Sequence, residues 1–390
     1  MKKQIFSIGV LPLLAGLLIS VDASCNLNHA NDNPVLNKSV KAGTDGLKIE
    51  TFVTGLNVPW GMAFLPNGDM LVTERSGQLR LIHDGKLVEE PIKGLPAIIS
   101  KGQGGLLDIK LHPNYAKNGW IYFSYSSPLA DGETGKGSNT ALMRAKLVGN
   151  TLTEQKVVFK ATPNVTTTHH YGGRIAFDRA GYLYLTVGER GQQEEAQKLT
   201  TFQGKVVRLN DDGSVPKDNP FVGQDGARPE IYSYGHRNPQ GFVINPTTGD
   251  LWEHEHGPQG GDEVNIVKKG ANYGWPAITF GIGYDNSIIS PDTARAGMEQ
   301  PIIYYRPSIA PCGMTFITSK KFPDWKGNLL IGSLKFNYIK RCVIKNNKVV
   351  SQETVFENIG RVRDIKEGPD GNIYVAIEST GSIVKISPTK

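Results

Sequence analysis

Cysteine is scarce in this chain: three in 390 residues, with no C-x-x-C pair. That excludes a disulfide scaffold and leaves redox-thiol and zinc-knuckle chemistry without its usual ligands. Cys312 and Cys342 are expected either to pair in an oxidising compartment or to stay as two half-buried thiols. Charge is sparse too, at 21% of residues, and the excess of 43 basic over 37 acidic groups is spread thin. The longest basic runs are pairs such as Lys268-Lys269 and Lys320-Lys321. A nucleic-acid groove needs a denser stripe, so no nucleic-acid partner is expected. Phosphate-cradling motifs are missing: there is no G-x-x-x-x-G-K-[ST], and no G-x-G-x-x-G after a strand. Helical periodicity is almost absent, and only the stretch from Gln192 to Thr201 reads as helical. At 39% hydrophobic residues the chain is nevertheless no disordered polymer.

One long apolar run exists, from Ile5 to Val21, behind Lys2-Lys3 and ahead of Val21-Asp22-Ala23. A basic head, an apolar stretch and small residues at the cleavage point describe a secretory signal peptide over 1–23. The run is marginal for a membrane span, which takes roughly 20 apolar residues. Cys25 offers a second outcome, lipid attachment, but Asp22 stands where such a signal wants Leu. Residues 24–46 then read as a linker, and no membrane span is expected.

The remainder consists of short β-like runs separated by Gly, Pro, Asn and Asp. One signature recurs: a Gly, an apolar triplet, a polar turn, then an alternating strand. Its copies begin at Gly61-Met62-Ala63-Phe64, Gly105-Leu106-Leu107-Asp108, Gly173-Arg174-Ile175-Ala176-Phe177, Gly241-Phe242-Val243-Ile244, Gly313-Met314-Thr315-Phe316 and Val362-Arg363-Asp364-Ile365. Six copies predict an all-β, six-bladed β-propeller over 47–388. The last copy runs out of chain after Ile383-Val384-Lys385-Ile386, whereas Leu47 to Phe52 is an unused strand. The N-terminal strand is therefore expected to complete the last blade and remove two exposed edges.

Polar residues that a scaffold does not need collect at blade starts, where propeller loops build sites. His170, just before the third inner strand, has the chemistry of a general base, and His169 is expected to point away. Arg237 and Asn238 precede the fourth inner strand and offer a cationic fork and a neutral donor. In Glu253-His254-Glu255-His256-Gly257-Pro258-Gln259-Gly260-Gly261-Asp262-Glu263, strand alternation puts the histidines on one face and Glu253 with Glu255 on the other. No H-E-x-x-H occurs, and a Gly-rich loop ending in Asp-Glu suits calcium better than zinc. Lys335, Arg361 and Arg363 place cations at blade strand ends, and three cations at a channel mouth imply a multiply anionic ligand.

Together these residues resemble the soluble quinoprotein aldose dehydrogenases of the glucose/sorbosone dehydrogenase family. The markers are Gly61-Met62-Ala63-Phe64, Gln103-Gly104-Gly105-Leu106, His170-x-x-Gly173-Arg174, Gly235-His236-Arg237-Asn238-Pro239-Gln240-Gly241, His256-Gly257-Pro258, Asn272-Tyr273-Gly274-Trp275-Pro276 and Gly332-Ser333-Leu334-Lys335. The resemblance implies a periplasmic enzyme that uses pyrroloquinoline quinone and calcium to oxidise aldoses at the anomeric carbon to lactones. It implies His170 as the base assisting hydride transfer to the quinone, Glu189 as the carboxylate supporting it, and Arg237 near the reacting oxygens. Gln103, Arg237, Asn238, Tyr284, Lys335, Phe336, Asn337, Arg361, Val362 and Arg363 match cofactor-side positions. The carbonyls of Gly257 and Pro258 match the calcium that touches the quinone, and Glu263 with the Tyr273 carbonyl matches a further calcium site.

Two departures from the glucose-specific members stand out. His256 replaces a Gln, and Glu189 replaces an Asp; both favour the broad-specificity aldose branch. The expected partners are an aldose substrate and a periplasmic electron acceptor, in a monomer or simple dimer. Two other readings share the fold: a calcium-dependent propeller lactonase, and a binding propeller without redox activity.

Overall fold

The innermost strand of every blade opens on a β-bulge. The register slips between Pro59 and Gly61, Leu106 and Ile109, Gly172 and Ile175, Pro239 and Gly241, Cys312 and Met314, and Val362 and Asp364. A bulge bends its strand and re-aims a side chain. Repeated around the ring, it turns Trp60, Leu107, Gln240 and Arg363 onto one cavity at the axis.

These strands belong to a computed structural model that describes residues 44–389. Among the described residues the strands form six antiparallel four-stranded sheets. Their innermost strands are Pro59–Phe64, Leu106–Leu111, Gly172–Phe177, Pro239–Ile244, Pro311–Phe316 and Val362–Glu367. Each packs on the next, and the sixth packs on the first. The result is the six-bladed propeller that the repeats predict. Leu47–Val53 pairs antiparallel with Ser382–Pro388, so the N-terminal strand completes the last blade as expected.

Alternate strand residues bury against the neighbouring blade, and the core is accordingly a ring of clusters between sheets. Glycine allows the inner strands to approach closely. A Cβ on Gly313, whose φ is +63°, would lie 2.5 Å from the Asp364 Cα. The axis below the cavity is plugged by charge: Arg174 Nη1 lies 3.1 Å from Asp364 and 3.5 Å from Asp108, with the guanidinium over Trp60.

The helical stretch expected around Gln192 to Thr201 is a short 3-10 turn, Gln193–Gln197. Cys312 and Cys342 are free and fully buried; they are neither paired nor half-buried. The proposed signal peptide, Cys25 and most of the linker lie outside the described residues. Among the described residues, no helix is long and apolar enough to cross a membrane.

Candidate active site

Three adjoining cavities lie at the bulged end of the channel. The axial one, about 250 Å³, carries three guanidiniums, Arg75, Arg361 and Arg363. Glu378 is the carboxylate set among them: Arg363 Nε donates to it at 2.7 Å and Arg361 Nε lies 3.6 Å away. Three cations on one carboxylate leave an unmatched positive field, which suits a ligand with several carboxylates. Neutral groups complete the wall. Asn238 Oδ1 is engaged by Gly172 N at 3.1 Å and Gln240 Nε2 at 3.2 Å, so its own amide donors are the part left for the cavity. Gln103 and Asn238 both line it.

The mouth cavity, about 580 Å³, shares Gln103 with the axial one. His170 stands on its wall with φ +56°, a strained conformation for a non-glycine residue. The strain is held from two sides: His170 N donates to Gln103 Oε1 at 2.8 Å, and Nδ1 donates to Glu189 Oε1 at 2.5 Å. Glu189 is 2% exposed, and its own amide donates to the Arg237 carbonyl at 2.9 Å. With Nδ1 carrying the proton, the lone pair sits on Nε2. Burial, then the charges of Arg237, His169 and Arg190, hold the imidazole well below its ordinary range. Burial pushes the Glu189 carboxyl up, opposed first by Arg237. His169 does not point away as expected. It lines the same mouth, edge-on to His170 with ring centroids 4.5 Å apart.

The third cavity has room for about one water and is lined by Arg237, Glu255, Glu263, Tyr273 and Trp275 among others. Behind it stand His236 and Glu253, whose ligand atoms lie with that of Glu255 within 4.8 Å of one another, all buried. Burial and then Glu255 raise Glu253 to about 7, and the same two causes raise Glu263 well above the carboxylate range. Burial opposes a charge on His236, but the carboxylates of Glu253 and Glu255, 3.6 and 3.8 Å from its Nδ1, carry it up to about 9. Glu253 Oε2 is buried with no hydrogen-bond partner. Crowded carboxylates with an orphaned oxygen are the donor set of a hard cation, so these residues fit calcium. The carbonyls of Gly257 and Pro258 are already engaged, by Arg237 Nη1 at 2.7 Å and by Ser308 Oγ at 3.1 Å, so a cation there would use their second lone pairs. Asp262 is tied to Gly257 N, Ser308 Oγ and Ala310 N, which shapes the loop.

Of the residues singled out in the sequence, His170, Glu189, Arg237, Gln103, Asn238, Arg361, Arg363, Gly257, Pro258, Glu263 and Tyr273 line these three cavities. Tyr284 borders the mouth, 74% exposed, and not the axial cavity. Lys335, Phe336, Asn337 and Val362 line none of the three. Lys335 lies over the exposed Phe336 ring, Asn337 turns the chain at φ +59°, and Val362 packs into the core. The third cation of the axial cavity is Arg75. Its signal in the sequence is slight, a lone Arg directly after the strand Met70–Glu74. Trp60, on the same wall, and Glu253, behind the third cavity, likewise carry no sequence signal of a role.

The profile of the family described as Glucose / Sorbosone dehydrogenase matches residues 56–385. The aldose sugar dehydrogenase YliI of Escherichia coli (strain K12) is 42% identical over 358 residues, which is 90% of this chain and 96% of that protein. The crystal structure of the soluble aldose sugar dehydrogenase of Escherichia coli in its apo-form superposes with a TM-score of 0.82 at 41% identity, covering 88% of this chain and 99% of that one. The PQQ-bound form of an aldose sugar dehydrogenase from Streptomyces coelicolor gives a TM-score of 0.71 at 26% identity, covering 87% and 98%.

Proposed function

Since the chain belongs to the glucose/sorbosone dehydrogenase family and is an oxidoreductase, we propose that it oxidises aldose sugars at the anomeric carbon to lactones, with pyrroloquinoline quinone and calcium. The observation that carries this reading is the junction of two cavities at Gln103, one ringed by Arg75, Arg361 and Arg363, the other walled by the His170–Glu189 pair. A trianionic quinone matches the first and a neutral sugar the second. A lactonase would have no use for three guanidiniums.

The residues divide the work. Arg75, Arg361 and Arg363, with Gln103 and Asn238, would hold the quinone, and Glu255 and Glu263 with the Tyr273 carbonyl would hold calcium. Once bound, the quinone supplies the two-electron oxidising chemistry that no side chain here has. The protein moves the proton. His170 Nε2 takes it from the anomeric hydroxyl as that carbon gives up its hydride, while Glu189 keeps the ring in one tautomer and orientation. Arg237, 6% exposed and anchored to the carbonyls of His256 and Gly257, sets a fixed positive charge beside the reacting oxygen.

We also propose export to the periplasm through the segment 1–23, electron delivery to an acceptor there, and a monomer or simple dimer as the working form. The deciding experiment is a dye-linked dehydrogenase assay over a sugar panel. Apo-protein should gain activity only when quinone and calcium are both supplied; full activity after chelation and without quinone would overturn the proposal.

A further inference from the structure

Lys205 lies outside the charged axis with no exposed surface, and its ammonium is held without a carboxylate. Its Nζ meets three backbone carbonyls instead: Glu195 at 2.9 Å, Ala196 at 3.0 Å and Gln203 at 2.5 Å. An ammonium has three N–H donors, and here each finds one acceptor. Two of those carbonyls, of Glu195 and Ala196, belong to the 3-10 turn Gln193–Gln197. Burying a lysine on neutral partners is costly, and desolvation pulls its amine down to about 7. A core position that needed only packing would be better served by Met or Leu.

The turn so clamped is bonded to three parts of the mouth. At its head, Gln192 N donates to the Glu189 carbonyl at 3.0 Å, and Gln193 lines the cavity. In its middle, the Ala196 carbonyl accepts Gly235 N at 2.9 Å, ahead of Arg237. At its end, Gln197 Nε2 donates to the Trp275 carbonyl at 2.7 Å, and Asn272 Nδ2 returns a bond to Gln197 Oε1 at 2.8 Å. Trp275 walls the mouth beside Arg237 and is otherwise tied through its amide to the Gly235 carbonyl.

We infer that Lys205 is a positioning residue of the sugar site: through the turn Gln193–Gln197 it fixes the carboxylate that orients His170 and the Trp275 wall opposite. It touches neither sugar nor cofactor. The kinetic half of the inference rests on the proposed dehydrogenase reading; the mechanical half does not.

The test uses Lys205→Met, which keeps bulk and removes the three bonds, and Gln197→Leu, which cuts the arm to Trp275 without disturbing the buried charge. Hydrogen exchange should show protection falling about tenfold or more in 189–197 and 272–275, with the other blades unchanged. With quinone and calcium, kcat for the aldose should fall about 10- to 100-fold, as for a small misplacement of reacting groups. The quinone titration midpoint should stay within about twofold. Unchanged protection in 189–197, or lost protection with unchanged kcat and KM, would overturn the inference. So would a loss spread over all blades in both variants, which would mark a merely structural lysine. If Lys205→Met does not fold, Gln197→Leu decides alone on the same localised readout. A wild-type protein inert with quinone and calcium would sink the dehydrogenase reading, while the exchange data would still judge the strut.

Discussion

His170 and Glu189 share a 2.5 Å hydrogen bond in which the imidazole Nδ1 donates and the carboxylate accepts. The bond joins the start of one inner strand to the turn after its neighbour, so the ring is oriented by the blade that carries it.

Replacing that base should cost much and its neighbour little. His170→Gln is expected to lower kcat by about 10²–10⁴-fold, the usual worth of a general base, with quinone binding retained. His169→Gln should cost far less, because no carboxylate orients its ring even though it shares the mouth. Steady-state kinetics of the two variants, with quinone binding followed spectroscopically, check this. A larger loss in the His169 variant would move the base by one residue.

The acid limb of kcat/KM should lie below pH 6.5. Neutral imidazole is the active form, and burial with nearby cations lowers the folded-state pKa. The rate is therefore full above that depressed value and lost as pH falls through it. A limb centred above 6.5 would mean that the Glu189 carboxylate outweighs burial. In His170→Gln the limb should vanish.

Quinone affinity should follow the cavity and not the sequence motif. Arg75→Ala removes a guanidinium on the axial wall and should weaken binding about ten- to a hundredfold, the worth of roughly 1.5–3 kcal/mol for a charge-assisted contact. Lys335→Ala, at an exposed side chain, should change it less than about twofold. Fluorescence titration of the apo-variants separates the two; equal effects would place Lys335 back at the ligand.

Chelation should lower thermal stability as well as activity. Glu253, Glu255 and Glu263 crowd around buried space that suits a cation, and a bound ion stabilises the folded state by mass action. Melting curves with a chelator and after calcium is restored should differ by several degrees, and Glu263→Gln should remove most of the difference. A melting point indifferent to calcium would leave those carboxylates as a protonated structural cluster.

The ring, its six inner strands and the closing pair were legible because the hairpin signature is local: glycine, apolar triplet, turn and strand all lie within one stretch of chain. Residues that line the cavities were legible where they precede or fall within such a signature, as His170, Arg237 and Arg363 do. Lys335, expected at the ligand, lines none of the three cavities. The expectation rests on its position after Gly332-Ser333-Leu334, but the strand ends at Ser333, and beyond a strand's end the pleat no longer fixes where a side chain points. Arg75 lay beyond reach because its place beside Glu378, Arg361 and Arg363 depends on blades one and six meeting as the ring closes, which no local pattern states. Glu253 reads as an ordinary strand residue until folding sets it beside His236.

Joining Leu47–Val53 to the final strand also has a consequence in time. Five blades are each built from one unbroken stretch of chain, so each can form as soon as its own hairpins exist. The sixth waits on both ends. Until the last residues are present, its outer strand Leu47–Val53 lacks the strand it pairs with, and the ring has a seam through which water reaches the axis. Closing it joins segments almost a whole chain length apart, a step whose entropic cost rises only with the logarithm of the loop but whose rate is slow. The axial cavity, with Arg361 and Arg363 at the start of that last blade, is thus among the final parts of the molecule to exist, and whatever ligand it holds must wait for the closing step.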